Sequence, residues 1–560
     1  MVRPRSPHAS WLILAIVSLP VFVGALDLTI ISAVLPEVIV SLDLPVKEYL
    51  DQASWAVSGY LLAYAISMTF AGRLSDQFGR RTVYLVCLLI FMGGSYLVTV
   101  YDSPLLNSWL SRFYRDVLGQ TAPRTEERYL YLVIVGRVVQ AFGAGAMVPV
   151  TIALVGDLFP PERRARPLGV VGAVDTVGWV LGHLYGGVMV RLFGEHGQAI
   201  VDAFARLGLT VAKPSWETLF VINIPLSTLA LGGAWWVLRD VQRPRRAERF
   251  DVPGTVLLVL ALVGLNVGLG ASPETASTAG SFEELRQGGS AYRGWLLAGA
   301  GVAFVLFLAV EARARHPLIR LSMFRRRNVL VSSLTNFLVG FCLAIGLVSA
   351  PLLVNFRMES PTSQQVQHAA YIAGVLLSGL TIPMALAAVP GGWLSERRGY
   401  RLPTATGVLL ATVGFVLTGA SWQSDTPYWL MGLQMAVIGI GLGLTISPVG
   451  TAVLNDVAED ERGIAAALIL VLRLIGMTVA ISSLTIYALE RFDVLLADYM
   501  ASGSLSVEET LLASQTASLE AAVDVIKELQ FIGAAVSLVA VLAALLLRGG
   551  RQRPETARAS

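Results

Sequence analysis

Five ionisable residues stand inside long apolar runs of this chain: Asp27, Arg137, Asp175, His183 and Arg473. A charge in hydrocarbon costs about 2.5 to 3.5 kcal/mol on insertion scales, so such a group faces a cavity or a partner. An acid that alternates between a buried arginine and a proton can couple a proton gradient to movement, because access to water changes the relative stability of its charged form. Asp27 is the first choice for that acid, with Arg137 as its electrostatic partner and Arg473 as a second cation. A permanent ion pair that fixes packing is the competing reading, stronger for Asp175 with Arg473 than for Asp27 with Arg137. His183 can titrate near neutral pH, although a buried, hydrogen-bonded structural histidine is the commoner case.

The elements that position these groups follow from composition. Of 560 residues, 55% are hydrophobic and 14% charged, with a mean hydropathy of +0.65; soluble domains carry about 25% charged residues. Apolar stretches long enough to span a bilayer, roughly 17 to 25 residues each, fall at about 11–36, 52–71, 82–100, 129–155, 168–192, 218–238, 253–270, 293–311, 328–353, 369–391, 404–421, 428–453, 463–488 and 531–547. The expectation is an all-α polytopic membrane protein with fourteen spans. At a rise of about 1.5 Å per residue, Asp27, Arg137 and His183 lie at similar depths from the outer ends of their spans. Asp175 and Arg473 match in depth from the inner ends.

Cytoplasmic loops retain Lys and Arg. With both termini inside, roughly two thirds of the 42 Lys and Arg fall in cytoplasmic segments. The clusters Arg163 to Arg166, Arg239 to Arg249 and Arg313 to Arg327 all lie inside under this one assignment, so the net charge of +3 calls for no nucleic-acid partner. The apolar run near the N-terminus exceeds the roughly 7 to 15 residues of a cleavable signal and reads as a retained span in the plasma membrane.

Ten residues recur: Gly72-Arg-Leu-Ser-Asp76-Gln-Phe-Gly79-Arg80-Arg81 and Gly392-Trp-Leu-Ser-Glu396-Arg397-Arg398-Gly-Tyr-Arg401. Each copy is a short loop between two spans, where the acids and arginines meet water and glycine permits the turn. Asp76 with Arg80 or Arg81, and Glu396 with Arg397 and Arg398, can bridge helix ends as a cytoplasmic gate; a solvated turn is the alternative, stronger for the second copy. The repeat divides the chain into a six-helix half at 1–238, basic linkers and two additional spans at 239–327, and a second six-helix half at 328–547. A long outer segment at 489–530 belongs to that second half, and a cytoplasmic tail follows at 548–560. Internal symmetry of this kind is how many secondary transporters are built, with the substrate site between the halves near the bilayer midplane. Within 489–530, Glu508 to Phe531 shows helical spacing and reads as an extension leading into the last span.

The loop Gly72 to Arg81 closely resembles the signature between the second and third helices of the major facilitator superfamily, and fourteen spans resemble its drug:proton antiporter branch. Leu26-Asp27-Leu-Thr-Ile-Ile-Ser-Ala-Val-Leu-Pro36 is similar to that branch's first-helix motif, Arg137-Val-Val-Gln140-Ala-Phe-Gly-Ala-Gly145 to its fourth-helix motif, and Phe220-Val-Ile-Asn223-Ile-Pro225 to the start of its sixth. Two positions depart from the pattern. Ala141 stands where the fourth-helix motif has glycine, and Gly182-His183-Leu-Tyr-Gly186-Gly187 lacks the proline of Gly-Pro-x-x-Gly-Gly, removing an expected kink. Gly441-Leu-Gly-Leu-Thr-Ile-Ser-Pro448, Arg462-Gly-Ile-Ala-Ala-Ala and Leu472-Arg473-Leu-Ile-Gly476-Met477 resemble the mycobacterial lipoprotein-associated lipid exporters. Asp175 stands where those proteins have an acid, and 489–530 resembles their enlarged outer region. Asn455 departs, occupying a position where that comparison implies a basic residue.

The resemblance implies a proton-coupled exporter of hydrophobic or amphiphilic molecules. The alternative is a lipid exporter, of triacylglyceride or glycolipid-like cargo, working with an extracytoplasmic lipoprotein; a receptor or enzyme on the same fold is the remote third. Gly178, Gly182 and Gly186, with Gly187, form a smooth helix face suited to close packing. Gln140, Asn266, Asn336 and Gln434 are polar positions in spans that line a cavity or bond to neighbouring helices. Neither Lys47, Lys213 nor Lys527 follows glycine as a phosphate-binding loop requires, which disfavours ATP-driven transport. The five histidines are dispersed, and Cys87 and Cys342 lie in apolar spans, so no metal, cofactor or disulfide is expected.

Overall fold

In a lipid core every backbone amide must be satisfied within its own segment, which restricts spanning elements to helices or closed barrels. The computed structural model is helical throughout, with no strand among the described residues, which are 7–45, 49, 52–206, 208, 212–239, 250–269, 292–315, 317–357, 363–500 and 507–549. The helices run α1 Pro7–Ser41, α2 Trp55–Phe78, α3 Arg80–Thr99, α4 Pro104–Asp116, α5 Thr125–Leu158, α6 Ala165–Arg206, α7 Glu217–Val237, α8 Val252–Leu269 and α9 Arg293–Arg313. They continue with α10 Arg327–Phe356, α11 Ser363–Arg398, α12 Arg401–Ser421, α13 Tyr428–Asp456, α14 Arg462–Met500 and α15 Val507–Ala544. Among the described residues, 13 helices are long and apolar enough to cross a membrane. The stretch at 168–192 lies within α6, whose 42 residues span about 63 Å at 1.5 Å per residue.

Two compact units divide the chain. One comprises Met1–Thr151 with Gly178–Arg246, the other Ile152–Val177 with Ala247–Ser560. In the first, α3 and α1 both pack on α7, and α1 also meets α2. In the second, α13 packs between α11 and α12, α14 and α15 flank α10, and α8 pairs with α9.

Small residues set the helix spacings. On α3, a Cβ at Gly94 would lie 2.6 Å from the Gln140 Cβ of α5, and at Gly136 a Cβ would lie 2.8 Å from the Val98 side chain of α3. Backbones approach this closely only where side chains are absent. α6 has no interior proline, and Gly178 sits on α1, where its Cβ would come within 2.7 Å of Ala25. Parts of the long connecting segments are helical among the described residues. α4 occupies part of 101–128, α6 continues to Arg206, and α14 and α15 run on into 489–530; the sequence at 270–291 lies outside the described residues.

Candidate functional site

Asp27 sits mid-way along α1 with no exposure to solvent, as do Arg137 and Gln140 of α5. The Arg137 Nη2 donates to the Asp27 backbone carbonyl at 2.9 Å, while Nη1 lies 3.5 Å from Asp27 Oδ2 and donates to Gln140 Oε1 at 2.6 Å. Gln140 Nε2 in turn donates to Asp27 Oδ2 and, at 2.8 Å, to Ser95 Oγ of α3. Asn223 Nδ2 of α7 donates to Asp27 Oδ1 at 2.9 Å. One carboxylate is thus held by helices α1, α5 and α7, with α3 bracing the glutamine.

The guanidinium is also enclosed by aromatic faces. Its Cζ lies 4.0 Å from the Tyr60 ring centre and 5.4 Å from that of Phe220, an arrangement worth about 2 kcal/mol when desolvated. Tyr60 is itself fixed by donating to the Gly24 carbonyl at 3.1 Å. With Arg137 as counter-charge the ionised cluster is neutral overall, and each carboxylate oxygen accepts from one amide side chain, which offsets part of the cost of burying the charge. Protonating Asp27 would turn one carboxylate oxygen into a hydroxyl donor facing an amide N–H of Gln140 or Asn223, while the other oxygen still accepts, giving two states that differ in hydrogen bonding.

The glycine face of α6 closes this site from the side of α1. A Cβ at Gly182 would collide with Thr29 Oγ1 and the Leu26 carbonyl, beside Asp27, and Thr29 Oγ1 donates to the Trp179 carbonyl at 2.8 Å. Gly186 is buried. The side chains of His183 and Gly187 lie outside the described residues.

In the other unit, Asp175 of α6 and Arg473 of α14 are 3.9 Å apart, their side chains 14% and 16% exposed. That separation exceeds a hydrogen bond, and Asp175 Oδ1 is buried with no hydrogen-bond partner. A tighter set lies where α5 meets α6 and α13 meets α14. Arg462 pairs with Asp157 at 3.1 Å, and Arg164 donates to the Gly156 carbonyl at 2.7 Å, the Phe159 carbonyl at 3.1 Å and Asn455 Oδ1 at 2.7 Å. Burial, and next the Arg462 charge, pull the Arg164 guanidinium down to about 10. Asn455, the departure from the lipid-exporter pattern, is therefore an acceptor for one arginine and also a donor to Tyr400 Oη at 2.7 Å.

The repeated loops differ in detail. Asp76 pairs with Arg80 at 2.5 Å, both side chains almost fully buried, and Arg80 also donates to Ser75 Oγ. Gly72 is buried at the end of α2 and Gly79, at φ +90°, makes the turn that a side chain would strain. Arg81 stacks on Trp235, 4.4 Å from the ring centre. In the second copy Glu396 pairs with Arg166 at 2.7 Å, whereas Arg397 lies over Trp393 at 3.9 Å.

Among the polar span positions, Asn336 donates to the Ile469 carbonyl at 2.6 Å, and Gln434 joins Ser421 and Trp422 at 2.7 and 2.9 Å. Both bond to neighbouring structure; Asn266 is half-buried on α8. Nothing local in the sequence marks Ser95 or Tyr60, and Asn223 stands out only as part of the Phe220 to Pro225 motif. No group of three or more metal-ligating side chains occurs among the described residues.

A model of the Major Facilitator Superfamily matches residues 17–481, which includes every residue of the Asp27 cluster. The chain belongs to the major facilitator superfamily. It is therefore a multi-pass membrane transporter rather than an enzyme in family and relatives. It is 31% identical over 557 residues to a triacylglyceride transporter of Mycolicibacterium smegmatis, covering 96% of this chain and 87% of that one. It is 31% identical over 492 residues to a triacylglyceride transporter of Mycobacterium tuberculosis, covering 86% and 83%. The fold is similar to the human organic anion transporter MFSD10, with a TM-score of 0.55 at 15% identity over 96% of this chain and 100% of that one. It is also similar to the proton:xylose symporter XylE, with a TM-score of 0.53 at 14% identity over 92% and 95%.

Proposed function

We propose that this transporter exports a lipid of the triacylglyceride or glycolipid-like class across the plasma membrane, driven by protons and delivering to an extracytoplasmic lipoprotein. The observation that carries the cargo assignment is the near full-length similarity to relatives named triacylglyceride transporters, with 96% of the chain covered at 31% identity. Of the two cargo readings, lipid and general amphiphile, this favours the lipid. The antiporter-like motifs keep a small-amphiphile exporter as the second reading.

Proton coupling rests on Asp27. A carboxylate with no solvent exposure, opposed to one arginine and held by two amide side chains, has two well-defined protonation states separated by a change in its bonding. Asp175 and Arg473, loosely paired, are the second charged element in this reading. Asp76 with Arg80 and Glu396 with Arg166 serve as inner latches, and the distribution of arginines supports cytoplasmic termini.

Reconstituted protein tests the proposal. With an imposed pH gradient in proteoliposomes, labelled triacylglyceride should move faster than without the gradient and faster relative to empty vesicles than a cationic dye does. Dye movement with no lipid movement would put the amphiphile reading ahead.

A further inference from the structure

Between α3 and α5, the short helix α4 carries an apolar edge that the described residues of its unit leave largely exposed. Leu110 is buried against the unit, but Leu105, Trp109 and Phe113 are 82%, 57% and 37% exposed. Spaced by four, they share one side of the helix, and the Trp109 and Phe113 rings stack at 5.8 Å. Arg112 and Arg115 are exposed, and at 100° per residue Arg112 falls about 60° from Trp109, on the flank of that edge.

What covers the edge follows from its tether and its charge. Only residues 100–103 separate α4 from the end of the spanning helix α3, so at about 3.5 Å per extended residue the helix begins within roughly 18 Å of a span end. At 100° per residue the exposed Asp116 falls about 20° from Trp109 at the C-terminal end of the edge, and Arg112 and Arg115 lie on one flank; a tryptophan with arginines on its flank near a span end matches the headgroup boundary of a bilayer. Soluble protein surfaces rarely leave three neighbouring large apolar side chains in water.

We propose that α4 is an interfacial helix seated on the leaflet nearest the outer ends of α3 and α5. Leu105, Trp109 and Phe113 enter the acyl boundary, and Arg112 and Arg115 meet phosphate oxygens of anionic headgroups. The surface would anchor the first unit to the leaflet beside its spans, independently of which cargo the transporter carries.

The test uses the full chain in vesicles of phosphatidylglycerol and phosphatidylcholine. Single labels are placed at Trp109→Cys and at Ser108→Cys, an exposed position on the polar edge; the native Cys87 and Cys342 are buried. Phe113→Cys serves as a second apolar-edge site should Trp109→Cys fail to fold. A lipid-borne nitroxide held below the headgroup should quench the apolar-edge label several-fold more than a water-soluble nitroxide does, with the ratio reversed at Ser108→Cys. Changing Arg112 and Arg115 to Gln should remove any dependence of that ratio on phosphatidylglycerol. Equal or greater quenching from water at the apolar-edge labels, the result if the edge is reserved for a soluble protein, would overturn the proposal.

Discussion

Arg137 holds Asp27 more closely by its backbone than by its charge: Nη2 is 2.9 Å from the Asp27 carbonyl oxygen, Nη1 3.5 Å from the carboxylate. A guanidinium anchored to a main-chain carbonyl stays in place when the carboxylate is protonated. In the proposed proton cycle the arginine is a fixed positive reference and the proton on Asp27 the variable. Gln140 accepts from Arg137 and donates to Asp27, and it also donates to Ser95 of α3, so a change at Asp27 would be felt at that helix.

Removing either partner leaves a buried charge without its counter-ion. Arg137→Ala and Asp27→Asn are each expected to lower stability by about 3 to 5 kcal/mol. A double-mutant cycle between the two should show a coupling of about 0.5 to 3 kcal/mol. Thermal melting of the four purified proteins checks both statements, and additive losses would separate the residues.

Asp175 and Arg473 should couple more weakly. Their 3.9 Å separation is longer than a hydrogen bond, which places the expected coupling at the low end of the roughly 0.5 to 3 kcal/mol found for contacting residues. The same cycle on Asp175→Asn and Arg473→Gln measures this. A coupling as large as that of Asp27 with Arg137 would show that the pair closes tightly in solution.

Glycines on α6 and α3 give a paired packing test. Gly182→Ala drives a methyl group into Thr29 and Leu26 and is expected to cost about 1 to 3 kcal/mol as overpacking. Gly93→Ala meets nothing within 4 Å and should gain roughly 0.5 to 1 kcal/mol from helix propensity. Melting temperatures moving in opposite directions satisfy the prediction.

Much of this was legible in the sequence because a lone charge in an apolar run is conspicuous; Asp27 and Arg137 stand out on cost alone. Their neutral partners do not. Asn223 and Ser95 are common residue types, and their roles depend on helix rotation, which residue depth along a span does not specify. The Glu396 to Arg166 pair joins positions 230 apart in the chain, beyond the reach of local spacing, which points instead to Arg397. Hydropathy located the spans but not their ends. It registers contact with lipid, whereas α6, α14 and α15 continue as helices through polar sequence into the long connecting segments.

The central claim, that Asp27 carries the coupling proton, is tested most directly by Asp27→Asn in proteoliposomes, following labelled triacylglyceride with and without an imposed pH gradient. The account predicts a protein that melts as a folded species and still exchanges lipid down its concentration gradient. Its gradient-driven accumulation should fall by roughly tenfold or more, as for loss of a group that transfers a proton. Uphill lipid transport by the variant that responds to the pH gradient as the parent does would contradict it.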